Sequence, residues 1–153
     1  MAGDVAGSLG AVIEIARTHR LSSAPAGAFF ERWCDLESHP EWAPSMEYFR
    51  LDGPFGLGAR GVLKARGGEE AEFVVTALDP PHLYADTTTL DGATLTVSHR
   101  ATPLAEGCRV ELVAWLEGER ASIYAAEMGD SVQRSLERDL ASLAAILEPA
   151  AGR

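Results

Sequence analysis

Residues 122–148 read SIYAAEMGDSVQRSLERDLASLAAILE. Within them Met128, Val132, Leu136, Leu140, Leu143 and Leu147 recur at steps of four, four, four, three and four. That spacing draws one apolar stripe along an α-helix. Gln133, Arg134, Glu137 and Arg138 fall on the opposite face. Pro149 and Gly152 lie just beyond, where a helix stops. A long helix with a single apolar stripe needs a broad apolar partner, and a sheet with one apolar face is such a partner.

Upstream, six segments have strand character: Met46–Asp52, Ala59–Ala65, Glu70–Leu78, His82–Thr89, Ala93–Thr102 and Arg109–Glu117. Gly53-Pro54, Gly67-Gly68, Asp79-Pro80-Pro81, Asp91-Gly92 and Glu106-Gly107 separate them. These residue types supply the backbone angles of tight turns, and short strands so evenly spaced predict an antiparallel meander. Ala11–Leu21 is β-branched and reads as one more strand. Ser22-Ser23-Ala24-Pro25 then offers an N-cap and a proline at a helix start. Phe29, Phe30 and Trp33 give that short helix an apolar side, and Pro40 and Pro44 confine His39–Ser45 to a tight helical turn or loop. The expected fold is α+β: a curved seven-stranded antiparallel sheet gripping a long C-terminal helix, with two short helices after strand 1. A curved sheet cannot touch a straight helix along its whole length, so a concave apolar gap suited to a small molecule is expected between them.

The 153 residues fit one domain, expected over 10–149, with loose tails at 1–9 and 150–153. No run of about 18 apolar residues is present, and the N-terminus has no basic or apolar leader region, so a cytoplasmic protein away from membranes is expected. A net charge of -10 disfavours nucleic acid. Cys34 and Cys108 are in no metal spacing and are expected as free thiols, although the sequence leaves a bridge open. His19, His39, His82 and His99 form no H-E-x-x-H, and neither a G-x-S-x-G elbow nor a Walker loop occurs, so no metal or cofactor is expected. Gly56 to Gly61 matches G-x-G-x-x-G, but a strand rather than a helix follows, so the glycines are read as turn residues.

Pro25, nine intervening residues, Asp35 and then Pro40-x-Trp42-x-Pro44 resemble the N-terminal signature of the SRPBCC superfamily, which includes START domains, the birch-pollen allergen fold and polyketide cyclase/dehydrase proteins. Asp79-Pro80-Pro81, Gly107 and the C-terminal helix agree, so the resemblance covers about residues 11 to 148. It implies a START-like helix-grip fold with a cavity under the last helix, and places Phe30, Trp33 and Trp42 near the cavity's wall or mouth. The similar-looking branch is the single-domain polyketide cyclase group, in which the cavity folds a reactive poly-ketone chain and polar residues assist aldol closure and loss of water.

Three residues are candidates for that chemistry. His99 shares an alternating face with Leu95 and Val97, which is read as inward, and a histidine there can move protons near neutral pH. It could equally be a satisfied core histidine. Tyr48 shares its alternation with Met46 and could donate to a carbonyl oxygen; plain packing is the alternative. Arg60 begins an alternation with Val62 and Lys64 and could anchor a carboxylate or enolate, or be a solvated strand charge. Glu72, Asp86 and Glu127 are further possible acids. Trp33, Trp42, Met46, Phe73, Tyr124 and Met128 form an aromatic and thioether set that suits a flat or flexible apolar ligand. Phe30, Val75, Leu112 and Val132, with Leu95 and Val97, complete the expected wall.

The function expected is binding of a small hydrophobic or polyketide-like molecule in an internal cavity, with cyclisation and dehydration and no cofactor. Two alternatives stay open: a non-catalytic carrier or sensor of such a ligand, and a protein-interaction module with a closed core. A monomer or homodimer is expected. The inward faces of Met46–Asp52 and Arg109–Glu117 are left open, since both are mixed, and Trp115 is unassigned.

Overall fold

The computed structural model describes residues 11–149, so the two expected tails lie outside the described residues. The chain opens with strand β1 (Val12–Ser22), then helix α1 (Ala26–Cys34) and a 3-10 turn over Leu36–Glu41. Six strands follow: β2 (Met46–Leu51), β3 (Arg60–Ala65), β4 (Glu70–Asp79), β5 (Leu83–Leu90), β6 (Ala93–Pro103) and β7 (Cys108–Glu117). Helix α2 (Ala121–Leu147) ends the fold. All strand pairs are antiparallel, in the spatial order β1-β7-β6-β5-β4-β3-β2. The two short helices carry the chain from one sheet edge to the other, and the meander then returns until β7 pairs with β1. This is the antiparallel meander expected from the turn spacing, in the seven-stranded helix-grip arrangement that the resemblance implies.

Two local expectations need correction. Ser22 and Ser23 do not cap α1, whose N-cap is Pro25 at φ -68 with no side-chain hydrogen bond. The Ser22 hydroxyl instead accepts from the Ala24 N–H (3.1 Å) and donates to the Glu148 carboxylate (2.8 Å), tying the start of α1 to the end of α2. Gln133 is not on a solvated face either. Its side-chain amide accepts from the Arg17 N–H and donates to the Arg17 C=O, both at 2.9 Å. The exposed edge of β1 is thereby capped by a side chain that mimics one residue of a neighbouring strand, which blunts edge pairing.

The core lies between α1, the C-terminal half of α2 and the inner faces of β4 to β7. Phe29, Trp33, Leu36, Tyr84, Val110 and Leu143 are among its largest wholly buried side chains. On β7 the even positions Val110, Leu112, Ala114 and Leu116 point inward, so Trp115 is on the outer face, half-buried opposite Glu14 and Thr96. Gly107, at φ 81 in the β6–β7 turn, sits where an added Cβ would come 1.9 Å from the Ser22 carbonyl oxygen; only glycine fits that approach. Cys34 and Cys108 are both free thiols. Among the described residues no helix is long and apolar enough to cross a membrane.

Candidate functional site

The helix and the sheet do not close on each other everywhere. Between α2, from Met128 to Leu143, and the inner faces of β2 to β7 is a partly open cavity of about 600 Å³, within the range of small-molecule sites. Its wall is largely apolar. Leu95 and Val97 come from β6, Leu112 from β7, and Met128, Val132 and Leu136 from α2. Trp33 and Trp42 close one end. Eight of the twelve residues expected as wall therefore line it: Trp33, Trp42, Met46, Leu95, Val97, Leu112, Met128 and Val132.

The other four do not. Phe73 and Val75 are buried in the core, where Phe73 meets Phe49 edge-on at 5.4 Å. Phe30 packs half-buried against the core from α1. Tyr124 is half-buried, and its hydroxyl donates to the Asp91 carbonyl at 2.8 Å, in the turn between β5 and β6. The cavity reaches up α2 only to Met128, one helical turn short of Tyr124.

Tyr48 and Arg60 are corrections of a different kind, because both side chains are on the outer face of the sheet. The register of β2 against β3 shifts between Met46 and Tyr48. A bulge of this kind breaks the period of two. Met46 and Phe49 both reach the cavity, whereas Tyr48 turns outward, bonds Glu70 and carries the Arg50 guanidinium 3.9 Å from its ring centre. On β3 the inward set is Gly61, Leu63 and Ala65, so Arg60 is exposed on the opposite side with Val62 and Lys64. Neither residue lines the cavity. Glu72 and Glu127 are exposed and do not line it either.

His99 does line it, buried between the rings of Trp33 (5.3 Å) and Tyr84 (5.2 Å). Its Nδ1 lies 3.2 Å from the Tyr84 carbonyl oxygen. A carbonyl can only accept, so Nδ1 carries the hydrogen and Nε2 keeps its lone pair. Burial pushes the imidazole down to about 4, so it is neutral at neutral pH.

Beside it, Asp86 shows why the inner face of β5 carries more chemistry than its threonine-rich sequence suggests. Tyr84, Asp86 and Thr88 alternate inward on β5, and Tyr84 stands opposite His99 across the strand pair. The Asp86 carboxylate lines the cavity, is 5% exposed and accepts the Tyr84 hydroxyl at 2.6 Å. Burial raises its carboxyl to about 6, against the lowering effect of the Tyr84 hydroxyl. The Tyr84 phenol is pushed well above its ordinary value by burial and by the Asp86 charge, so it remains a donor.

His39 is the third buried ionisable group of the cavity wall. Its ring is 4.5 Å from Trp42 and 4.4 Å from Phe49, and its Nδ1 donates to the Leu36 carbonyl at 3.1 Å. Burial first, then the nearby His99, holds it down at about 3. The Trp42 indole N–H is buried with no hydrogen-bond partner among the described residues. At the rim, the Ser45 hydroxyl and N–H are both directed to the Asp139 carboxylate of α2, whose pKa burial raises despite those bonds.

His39 and Tyr84 are the functional candidates that sequence reasoning did not single out. The signal for Tyr84 was present, because alternation through His82–Thr89 puts Tyr84, Asp86 and Thr88 on one face. His39 sits in a proline-broken turn with no periodicity to reveal its direction. Among the described residues no cluster of His, Cys, Asp or Glu is arranged to hold a metal.

No curated protein sequence matches the chain significantly. Solved structures do, at low identity. Norcoclaurine synthase from Thalictrum flavum, in complex with dopamine and hydroxybenzaldehyde, superposes with a TM-score of 0.66 at 14% identity over 90% of this chain and 86% of that one. The di-domain ARO/CYC protein StfQ of the steffimycin biosynthetic pathway gives a TM-score of 0.72 at 9% identity, over 95% of this chain and 53% of that one. Major latex-like protein 151 from Panax ginseng gives 0.70 at 13%, over 92% and 99%. These likenesses concern the fold. A family model described as polyketide cyclase / dehydrase and lipid transport matches residues 13–148, nearly the whole of the described chain, and the protein belongs to that family.

Proposed function

We propose that the cavity binds a small apolar molecule bearing carbonyl groups and promotes its cyclisation and dehydration. The observation that carries this reading is the pairing of two buried ionisable groups with opposite habits on neighbouring strands of one largely apolar wall. His99 is a neutral base with a free Nε2, and Asp86 is a carboxyl group whose pKa of about 6 lets it hold or release a proton near neutrality.

The chemistry balances without a cofactor. His99 Nε2 takes a proton from a carbon between two carbonyl groups. The resulting enolate carbon attacks a carbonyl carbon further along the same molecule. A C–C bond forms, the C=O π pair moves onto oxygen, and protonated Asp86 supplies that oxygen with a proton. The Asp86 carboxylate then takes a second α-proton, and the His99 imidazolium protonates the departing hydroxyl, which leaves as water. Both groups return to their starting states and nothing is oxidised or reduced. Holding a flexible chain folded in an apolar enclosure supplies the remainder, worth several kcal/mol. The test is incubation with a synthetic aryl triketone, followed by mass for the loss of water. His99→Gln and Asp86→Asn are each expected to reduce product formation about 100-fold or more; product formed at the wild-type rate by both variants would remove them from the reaction.

The family description also includes lipid transport, and a carrier is the second reading. Native mass spectrometry of freshly purified protein separates the two. A co-purified molecule released unchanged after prolonged incubation favours the carrier, and one converted with loss of water favours the enzyme.

A further inference from the structure

Two arginines from different parts of the chain stand at the cavity's mouth. Arg66 follows β3 and Arg138 is on α2; both are exposed and both belong to the cavity lining, where they are the only arginine or lysine side chains among the described residues. Arg66 touches one short segment, Pro44–Ser45, and the residue next to Arg138 touches the same segment. Arg66 holds it from one side, with its N–H on the Ser45 carbonyl (2.8 Å) and its Nε on the Pro44 carbonyl (3.2 Å). Asp139, next to Arg138, holds it from the other through the Ser45 hydroxyl and N–H. The Arg66 guanidinium is thus fixed at its Nε, while its terminal amino groups keep their donors free. Neither arginine forms an ion pair among the described residues, although Glu69 is on the same rim. In a chain of net charge -10, two unpaired guanidinium groups at the entrance to an apolar chamber make a local exception to the general field.

We infer that the ligand is an amphiphilic anion, whose carboxylate or comparable acidic group stays at the rim between Arg66 and Arg138 while its apolar body fills the chamber. Guanidinium forks suit planar and tetrahedral oxyanions alike. The inference rests on the ligand-binding reading above and adds an orientation to it: the acid end faces solvent, and the far end reaches the floor at His99 and Asp86. Arg66 and Arg138 would then be specificity residues that favour an acid over its neutral counterpart.

Two fluorescent probes with the same aromatic skeleton test it. N-phenyl-1-naphthylamine is neutral, and 1-anilinonaphthalene-8-sulfonate adds one anionic group. Wild-type protein should bind both, with the sulfonate the tighter, and added salt should weaken only the sulfonate. Arg66→Gln and Arg138→Gln should each weaken the sulfonate about fivefold, and together about twenty-fold, while the neutral probe stays within about twofold. The double lysine variant should keep most of the preference. Equal loss of both probes in the glutamine variants, or a sulfonate affinity indifferent to salt, would overturn the anion site and leave the cavity intact. Failure of the wild type to bind either probe would overturn the cavity reading as well.

Discussion

The two halves of α2 carry the same apolar stripe and do different things with it. In the C-terminal half Leu140, Leu143 and Ala144 are 3%, 0% and 0% exposed, packed into the core with Phe29, Trp33 and Val110. Nearer the N-terminal end Met128 and Val132 are only half-buried and face the cavity across from Leu95, Val97 and Leu112, with Leu136 at the join between the two stretches. Leu140 and Leu143 close the end of the cavity and at the same time anchor the helix in the core, whereas Met128 and Val132 only roof the space. Apolar patterning records that a residue faces inward, and it does not record whether anything lies opposite.

The largest expected effect concerns the ionisable groups that line the cavity opposite the helix. His39 and His99 are held neutral, at about 3 and about 4, below the unfolded value near 6.5. Between those values the unfolded chain binds protons that the folded chain does not, so stability falls as pH falls through that window. Asp86 works in the opposite sense. Its folded value of about 6 exceeds its unfolded value near 3.8, so its burial penalty is felt above pH 6 and relieved as pH drops toward 4. Two histidines against Asp86 leave a net loss on the order of 4 kcal/mol between about pH 7 and pH 4, and Asp139, whose carboxyl burial also raises, makes that loss smaller. Chemical denaturation across that range checks it; stability rising toward acid would mean the histidines are charged in the folded state.

The packed half comes next. Leu143→Ala is expected to cost about 3 kcal/mol, because the hole cannot collapse. Met128→Ala over the cavity should cost less than about 1 kcal/mol, since the space is already there. Equal costs in urea denaturation would mean the two halves do not differ. Between these, Asp86→Asn should stabilise the protein at pH 8 by about 2 kcal/mol while lowering the proposed turnover about 100-fold. The amide still accepts from Tyr84, and a buried charge is gone. Loss of stability would instead make Asp86 a structural residue.

Much of the fold was legible because its signals are local. Turn residues at regular spacing mark the meander, and a stripe at steps of four and three marks α2. The face of His99 was legible too, since β6 keeps an unbroken alternation through Leu95 and Val97. Tyr48 was misplaced because one bulge between Met46 and Tyr48 reverses the alternation, and nothing in Met46-Glu47-Tyr48 announces it. Arg60 was misplaced because a short strand with residues of both characters does not say which face is inside; Gly61, with an added Cβ 2.0 Å from the Arg50 carbonyl oxygen, is on the crowded inner side. His39 and the clasp of Pro44–Ser45 by Arg66 and Asp139 join residues far apart in the chain, and only the assembled fold brings them together.

The most direct test of the space under α2 is a titration of N-phenyl-1-naphthylamine into wild-type protein and into Val132→Trp. An indole at position 132 points into the cavity and occupies much of it without disturbing the packed half. The wild type should bind one probe per chain, and the variant, with thermal stability within a few degrees of wild type, should bind none. Undiminished binding in a folded Val132→Trp protein would place the ligand elsewhere and contradict the cavity beneath the helix.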